Sequence, residues 1–184
     1  MTNTRELFFV QWLPARFREF VQANPQLNDT QCSILVQVDG DTYWVEVNDG
    51  TLSSTPGVRE ETSTLRLHTD GHTFDQLIAP AAERADNNDP MLRLVQLDSE
   101  ALSLLQNVPG CLKLGVKGPD RVYSLILGPG CQPADNIGCK VECSLEDMLS
   151  VQKGEVQPIE LLMDGRLTLD GDLQIAMALG GLLM

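Results

Sequence analysis

Two histidines, five cysteines and a surplus of carboxylates are the groups with which this 184-residue chain could do covalent or metal chemistry. Their spacing argues against each option. His68 and His72 stand four apart, a spacing that chelates a metal on a helix face, but Gly71 lies between them. His68 alternates outward beside Arg66 in a strand pattern, so both histidines are expected in solvent, and Asp75 makes only a weak third ligand. Cys131, Cys139 and Cys143 lack the Cys-x2-Cys knuckle of a zinc site and have no histidine near. Cys139 and Cys143 share the inward face of a strand and read as reduced core thiols, with Cys32 and Cys111 completing an odd count. Glu60-Glu61 and Glu146-Asp147 are neighbours whose side chains diverge, so they form no acid/base couple and read as solvated or helix-terminal charges. No phosphate-binding glycine loop and no Gly-x-Ser-x-Gly elbow is present. The expectation is a protein that is not an enzyme and needs no cofactor or metal.

Composition narrows the partner. The chain carries 26 acidic and 13 basic residues, net −13, a field that repels phosphate backbones and excludes nucleic acid as a partner. Hydrophobic residues make up 42% but aromatics only 5%, so the core must be mainly aliphatic. The longest apolar stretches, Leu7–Val10 and Ala176–Met184, fall short of the ~20 residues that span a bilayer, so no stable membrane insertion is expected. The N-terminus makes a poor signal peptide and the C-terminus is not Ser-Lys-Leu, which leaves a cytoplasmic location as the expectation.

The elements that must position any site follow from periodicity. Val10, Leu13, Phe17, Phe20 and Val21 make one stripe of a helix over Glu6–Ala23, kinked or restarted at Pro14 and ended by Asn24-Pro25. Ile34, Val36 and Val38, then Tyr43, Val45 and Val47, alternate as strands joined through Asp39-Gly40, with Asp49-Gly50 leading to a short strand at Thr51–Thr55. A strand at Leu65 and Leu67 precedes a helix through Phe74, Leu77 and Ile78, capped by Thr73 or Gly71 and stopped by Pro80. Glu83–Pro90 reads as a loop, Met91–Val95 as a short apolar segment, and Ser99 as the N-cap of a helix through Leu105. After Pro109-Gly110 the pattern restarts. Strands at Leu112–Val116, Val122–Leu127 and Cys139–Cys143 lead to a Ser144-capped helix that Gly154 ends. Pro158–Met163, a strand at Leu167 and Leu169, and a helix over Leu173–Leu179 close the chain.

The restart is a repeat. Val38-x-Gly40, Tyr43 and Gly50 are echoed by Val116-x-Gly118, Tyr123 and Gly130. Within the second copy, Cys143-Ser144-Leu145-Glu146-Asp147-Met148 runs to Gly154, and Pro158 precedes the apolar turn Ile159–Met163. Gly165-Arg166-Leu167-Thr168-Leu169-Asp170-Gly171-Asp172 then leads into Leu173–Leu179. In order and spacing these pieces resemble the sterol carrier protein type-two family over about residues 110–184. The family's leading helix is missing from this copy. The first copy supplies one at Arg5–Ala23, but Met91–Gln106 lacks the Gly-Lys/Arg-Leu strand. The resemblance implies an α+β fold, a twisted antiparallel sheet with helices on one face, in two repeated units: a degenerate one at 1–108 and one at 109–184.

The resemblance also implies an apolar tunnel between sheet and helices that holds a fatty-acyl, sterol or isoprenoid molecule without reaction. Met148, Leu149, Val151, Ile159, Leu161, Leu162, Met163, Leu173, Ile175, Ala176, Met177 and Leu179 crowd the C-terminal third and suit such a lining. Met148, Val151, Ile159, Leu162, Met163, Leu167, Leu173, Ile175, Ala176 and Leu179 are the expected ligand wall. The partner is then an apolar small molecule, with a homodimer or an enzyme partner compatible. The rival reading is a ligand-free interaction or assembly module, in which Phe17, Phe20 or Trp44 would plug the cavity.

Overall fold

Hairpin-forming turns dictate three of the strand pairings in the sheet. In the computed structural model, which describes residues 4–24, 31–59, 62–79, 90–97, 99–130 and 133–183, β1 (Cys32–Val38), β2 (Asp41–Asn48) and β3 (Thr51–Pro56) form a meander. Two-residue loops join them, with Asp39 and Asp49 at φ 54° and 48°, left-handed values that short Asp side chains tolerate. β4 (Leu65–Thr69), β5 (Cys111–Lys117), β6 (Val122–Pro129), β7 (Ile137–Ser144) and β8 (Thr168–Gly171) complete one sheet in the order β3-β2-β1-β4-β6-β5-β7-β8. The fold is α+β.

The sheet is mixed, which corrects the antiparallel expectation. β4 runs parallel to β1 and β7 parallel to β5. Hairpin signals report only partners adjacent in sequence; these two strands cross over to the far edge of their meander. The crossover registers Leu65 with Ile34 and Leu67 with Val36, which puts four buried aliphatic side chains on one face. The two halves share a local arrangement. β2-β1-β4 and β6-β5-β7 are each an antiparallel hairpin whose first strand takes a parallel neighbour, and that neighbour leads into a capped helix. Antiparallel pairing of β4 with β6 fuses the halves into one sheet.

The helices are α1 (Thr4–Leu7), α2 (Leu13–Ala23), α3 (Gly71–Thr73), α4 (Pro90–Leu94), α5 (Ser99–Gln106), α6 (Leu145–Gln152), α7 (Pro158–Met163) and α8 (Leu173–Leu183). Among the described residues two widened π turns extend them, Phe8–Trp12 between α1 and α2 and Phe74–Ile78 after α3. In each, the residue before a proline donates its N–H five residues back, Leu13 to Phe8 and Ala79 to Phe74. The first π turn adds a residue to its coil and rotates the buried stripe. Phe9, Leu13, Phe17 and Val21 are buried, whereas Val10, expected on that stripe, is 40% exposed. Phe9 stacks on Tyr43 at 4.3 Å, seating this segment on the sheet.

The segment expected as a short apolar stretch at Met91–Val95 is helix α4, and α4 and α5 pack against α8. The loop expected over Glu83–Pro90 lies outside the described residues as far as Asp89, and Pro90 begins α4. Glu60, Glu61, Cys131, Met184 and the side chain of Ser99 also lie outside them.

Asp70, rather than Thr73 or Gly71, caps α3. Its Oδ1 accepts the Thr73 N–H at 2.9 Å and its Oδ2 the Thr73 hydroxyl at 2.8 Å. Thr73 Oγ1 in turn accepts the Ser124 N–H, and Thr69 Oγ1 donates to the Ser124 carbonyl, so the cap is bonded into the β4–β6 junction. Burial pushes the Asp70 carboxyl up, but the hydrogen bonds of Thr73 and His72, aided by the Arg121 charge, leave it below the ordinary carboxylate value. A depressed folded value means stability that is complete at neutral pH and lost as pH falls through it. Asp70→Ala is therefore expected to cost about 0.5–2 kcal/mol at pH 7, and the gap should begin to narrow below about pH 4 and shrink further as pH falls through the depressed folded value. Urea denaturation at pH 7 and below about pH 4 checks this; an equal gap at both would refute it.

Candidate functional site

The last three elements enclose a groove of about 500 Å³. Its floor is the covered face of the sheet edge, where Val141 of β7 lies directly across from Leu169 of β8, with Leu167 just ahead of β8. One wall is α7, through Pro158, Ile159 and Leu162. The other is α8, through Leu173, Ala176, Met177, Gly180 and Gly181. These α8 positions recur at three- and four-residue steps and so share one helical face. Ile175 and Leu179, on the other face of α8, are buried in the core. A helix apolar on both sides can join the core and wall a hollow at once.

Local chemistry holds α7 in place. Glu160 Oε2 accepts the Gln157 N–H at 3.1 Å, closing a capping box at the start of the helix. Gly165, at φ 70°, turns the chain back just past its end. Arg166 then pairs with Asp147, whose other oxygen accepts the Ser144 hydroxyl at 2.7 Å. Asp147 is thus a buried anchor at 5% exposure, not the solvated charge its acidic neighbour Glu146 suggests. Ser144 caps α6 as expected, accepting the Asp147 N–H at 3.1 Å.

No lining side chain is charged or polar. Such a surface offers nothing to a reacting group and favours hydrocarbon. Ile159, Leu173 and Met177 are 59%, 55% and 73% exposed, so the groove's rim presents large apolar side chains to water.

Of the ten residues expected to wall a ligand, Ile159, Leu162, Leu167, Leu173 and Ala176 line this groove. Met148, Val151, Ile175 and Leu179 are buried in the core, and Met163, at 83% exposure, lies on the surface. Val141, Pro158, Leu169, Met177, Gly180 and Gly181 line it without being among the ten. The cross-strand pair Val141–Leu169 left a signal in the alternation of both strands; the glycines left none. None of Phe17, Phe20 and Trp44 lines the groove. Phe17 belongs to the core on the covered face, while Trp44 pairs with Leu35 on the opposite sheet face beneath Arg59.

The titratable groups stand elsewhere. His68 Nδ1 is 3.2 Å from Gln37 Oε1 on the open face of the sheet, and His72 is exposed on α3. Among the described residues no cluster of three His, Cys, Asp or Glu could hold a metal ion. Cys32, Cys111, Cys139 and Cys143 are buried thiols. Burial pushes the Cys32 thiol up to about 12 and the Cys143 thiol to about 11, the latter helped by Asp147. Burial, with Asp172 and Asp170, also raises Cys139. Since the thiolate is the reactive form, iodoacetamide at pH 8 should leave Cys32 and Cys143 unmodified in the native protein and label both in urea. Peptide mapping by mass spectrometry reads this, and native labelling of either would contradict their burial.

Among the described residues no helix is long and apolar enough to cross a membrane. Residues 91–184 match the model of the SCP-2 sterol transfer family. No curated protein matches the sequence. Among solved structures, the chain is similar to sterol carrier protein 2 like 2 from Aedes aegypti at 20% identity, covering 58% of this chain and 88% of that one, with a TM-score of 0.33. It is similar to the apo form of sterol carrier protein 2 from Yarrowia lipolytica at 16% identity, covering 57% and 88%, with a TM-score of 0.37. A palmitated form of the Aedes aegypti protein matches at 20% identity over 57% and 85%, with a TM-score of 0.34.

Proposed function

The chain belongs to the SCP-2 sterol transfer family, and from that premise we propose that it binds and carries one apolar lipid in the groove between β7, β8, α7 and α8. Family membership makes apolar-lipid binding or transport its function. The observation that carries the site is the wholly apolar lining. Each methylene that leaves water there gains about 0.8 kcal/mol, and about 500 Å³ is within the range of small-molecule pockets. With no polar group inside, the lipid's head remains at the rim and no bond is made or broken, so the role is that of a carrier and not an enzyme.

In this reading Ile159, Leu162, Leu167, Leu173 and Ala176 touch the hydrocarbon, together with Val141, Leu169 and Met177. Met148, Val151, Ile175 and Leu179 stand behind them as the packed support, and Met163 meets a donor or acceptor. Closure of α7 and α8 over a bound chain would turn the groove into a tunnel. An enzyme that uses the lipid, or a second copy of this chain, would meet the exposed rim at Ile159, Leu173 and Met177. Buried cysteine thiols fit a reducing compartment such as the cytoplasm.

The matching halves of the sheet support reading the chain as a degenerate duplicate, 1–108 and 109–184. α4 and α5, assigned to the first unit by that division, pack on α8 of the second and lie almost wholly within the family match. Solvent extraction of the purified protein followed by mass spectrometry should release a lipid, and a fluorescent fatty acid should titrate to saturation. Absence of both would end this proposal.

A further inference from the structure

A second hollow, of about 480 Å³, shares no residue with the groove. It is lined by both π turns: Phe8, Gln11 and Trp12 from one, Phe74 and Asp75 from the other. π turns occupy well under 1% of residues in globular proteins and gather at functional sites. Here the two in the described residues face one space. A proline follows the last donor of each turn in the sequence, which does not account for both turns walling the same hollow.

The chemistry of this hollow differs from that of the groove. Every aromatic residue except Tyr123 precedes residue 80, so the buried rings lie in the first half of the chain, beside its aliphatic core residues, and the second half's core is aliphatic. Phe8 stacks on Trp12 at 5.0 Å and 21°, and meets Phe74 edge-on at 5.1 Å and 86°. Around these rings stand polar groups, Thr4, Arg5, Gln11 and Asp75, with Arg5 ion-paired to Asp39 at 3.0 Å and 3.9 Å from Asp75. An apolar wall with a few polar groups at its edge is the usual make-up of a small-molecule site. Stacked rings favour a flat π-system over a flexible chain.

We propose that this hollow is a second binding site, for a flat, ring-bearing amphiphile, whose ring extends the Phe8–Trp12 stack and whose polar end meets Gln11, Arg5 and Asp75. It operates independently of the groove.

Trp12 is itself the reporter. In the full chain carrying Trp44→Phe, Trp12 is the sole tryptophan, and 2-methyl-1,4-naphthoquinone serves as a flat, quenching probe. Its titration should quench Trp12 emission to saturation. Prior saturation of the protein with palmitate, or the groove substitution Gly181→Phe, should leave the curve unchanged. Ala79→Phe, which fills the hollow from its lining, should remove saturable quenching. Trp12→Leu, followed by a chemical-shift titration, should weaken the probe by roughly two- to twelvefold, the loss expected for one stacked ring. Should Trp44→Phe fail to fold, the two indole N–H resonances of the unaltered protein give the same reading, with that of Trp12 shifting and that of Trp44 still. Quenching that rises linearly without saturation overturns the proposal. So does quenching that palmitate abolishes, since the probe would then sit in the groove.

Discussion

Gly181→Phe is expected to reduce fatty-acid uptake by about fifteenfold while leaving the fold intact. Gly181 lines the groove on α8, and a Cβ built there meets no atom within 4 Å. The phenyl ring therefore enters open space without displacing backbone. Replacing glycine by phenylalanine inside a helix also improves helix propensity by roughly 0.3–0.5 kcal/mol, so thermal stability should hold or rise slightly. If the ring takes the room of two methylenes, the ligand loses about 1.6 kcal/mol of burial, which gives the fifteenfold figure. Met177→Asp attacks the same wall by charge. Met177 is 73% exposed, so the free protein tolerates a carboxylate there, but a bound hydrocarbon would have to cover it. Titration of a fluorescent fatty acid, beside a thermal melt, tests both variants. Undiminished uptake by two folded variants would move the lipid out of this groove.

Leu179→Ala should do the reverse, destabilising the protein by about 2–5 kcal/mol, the range for emptying a fully packed leucine site. Leu179 is completely buried and lies on the core face of α8, two residues from Met177. For a chain of this size that is a fall of about 4–20 °C in the melting midpoint. Met177→Ala, by contrast, should shift stability by no more than about 0.5 kcal/mol, as exposed sites do, yet weaken lipid uptake. The crossed outcome distinguishes a wall residue from a core residue on one helix. A larger stability loss in Met177→Ala than in Leu179→Ala would mean that α8 is docked with its other face inward.

The same helix marks where reading the sequence stops. Leu173–Leu183 contains no charged residue, so its periodicity sorts side chains into faces without saying which face meets the sheet. Ile175 and Leu179 could therefore not be told from Leu173 and Ala176 until α8 was docked. Met163 follows Leu161 and Leu162 in an unbroken apolar run, yet Leu161 is fully buried and Met163 is 83% exposed, because α7 is a short helix lying on the rim. Asp147 reads with Glu146 as a solvated or helix-terminal charge and does stand in the first turn of α6; its burial is not legible, since its partner Arg166 is 19 residues away and meets it only after α7 has turned back.

Features set by neighbours along the chain were legible from residues alone. The Asp39-Gly40 and Asp49-Gly50 turns, the alternation of β1, β2 and β7, the Ser144 cap and the apolar character of the C-terminal third all follow from local sterics, hydrogen bonding and hydropathy. Features that join distant segments were not. The parallel seating of β4 on β1 and β7 on β5, the closing of Val141 over against Leu169, and the meeting of two π turns around Trp12 depend on which buried faces fit together once the chain is compact. Hydrophobic burial is non-directional: it requires those side chains to leave water but leaves their partners to packing.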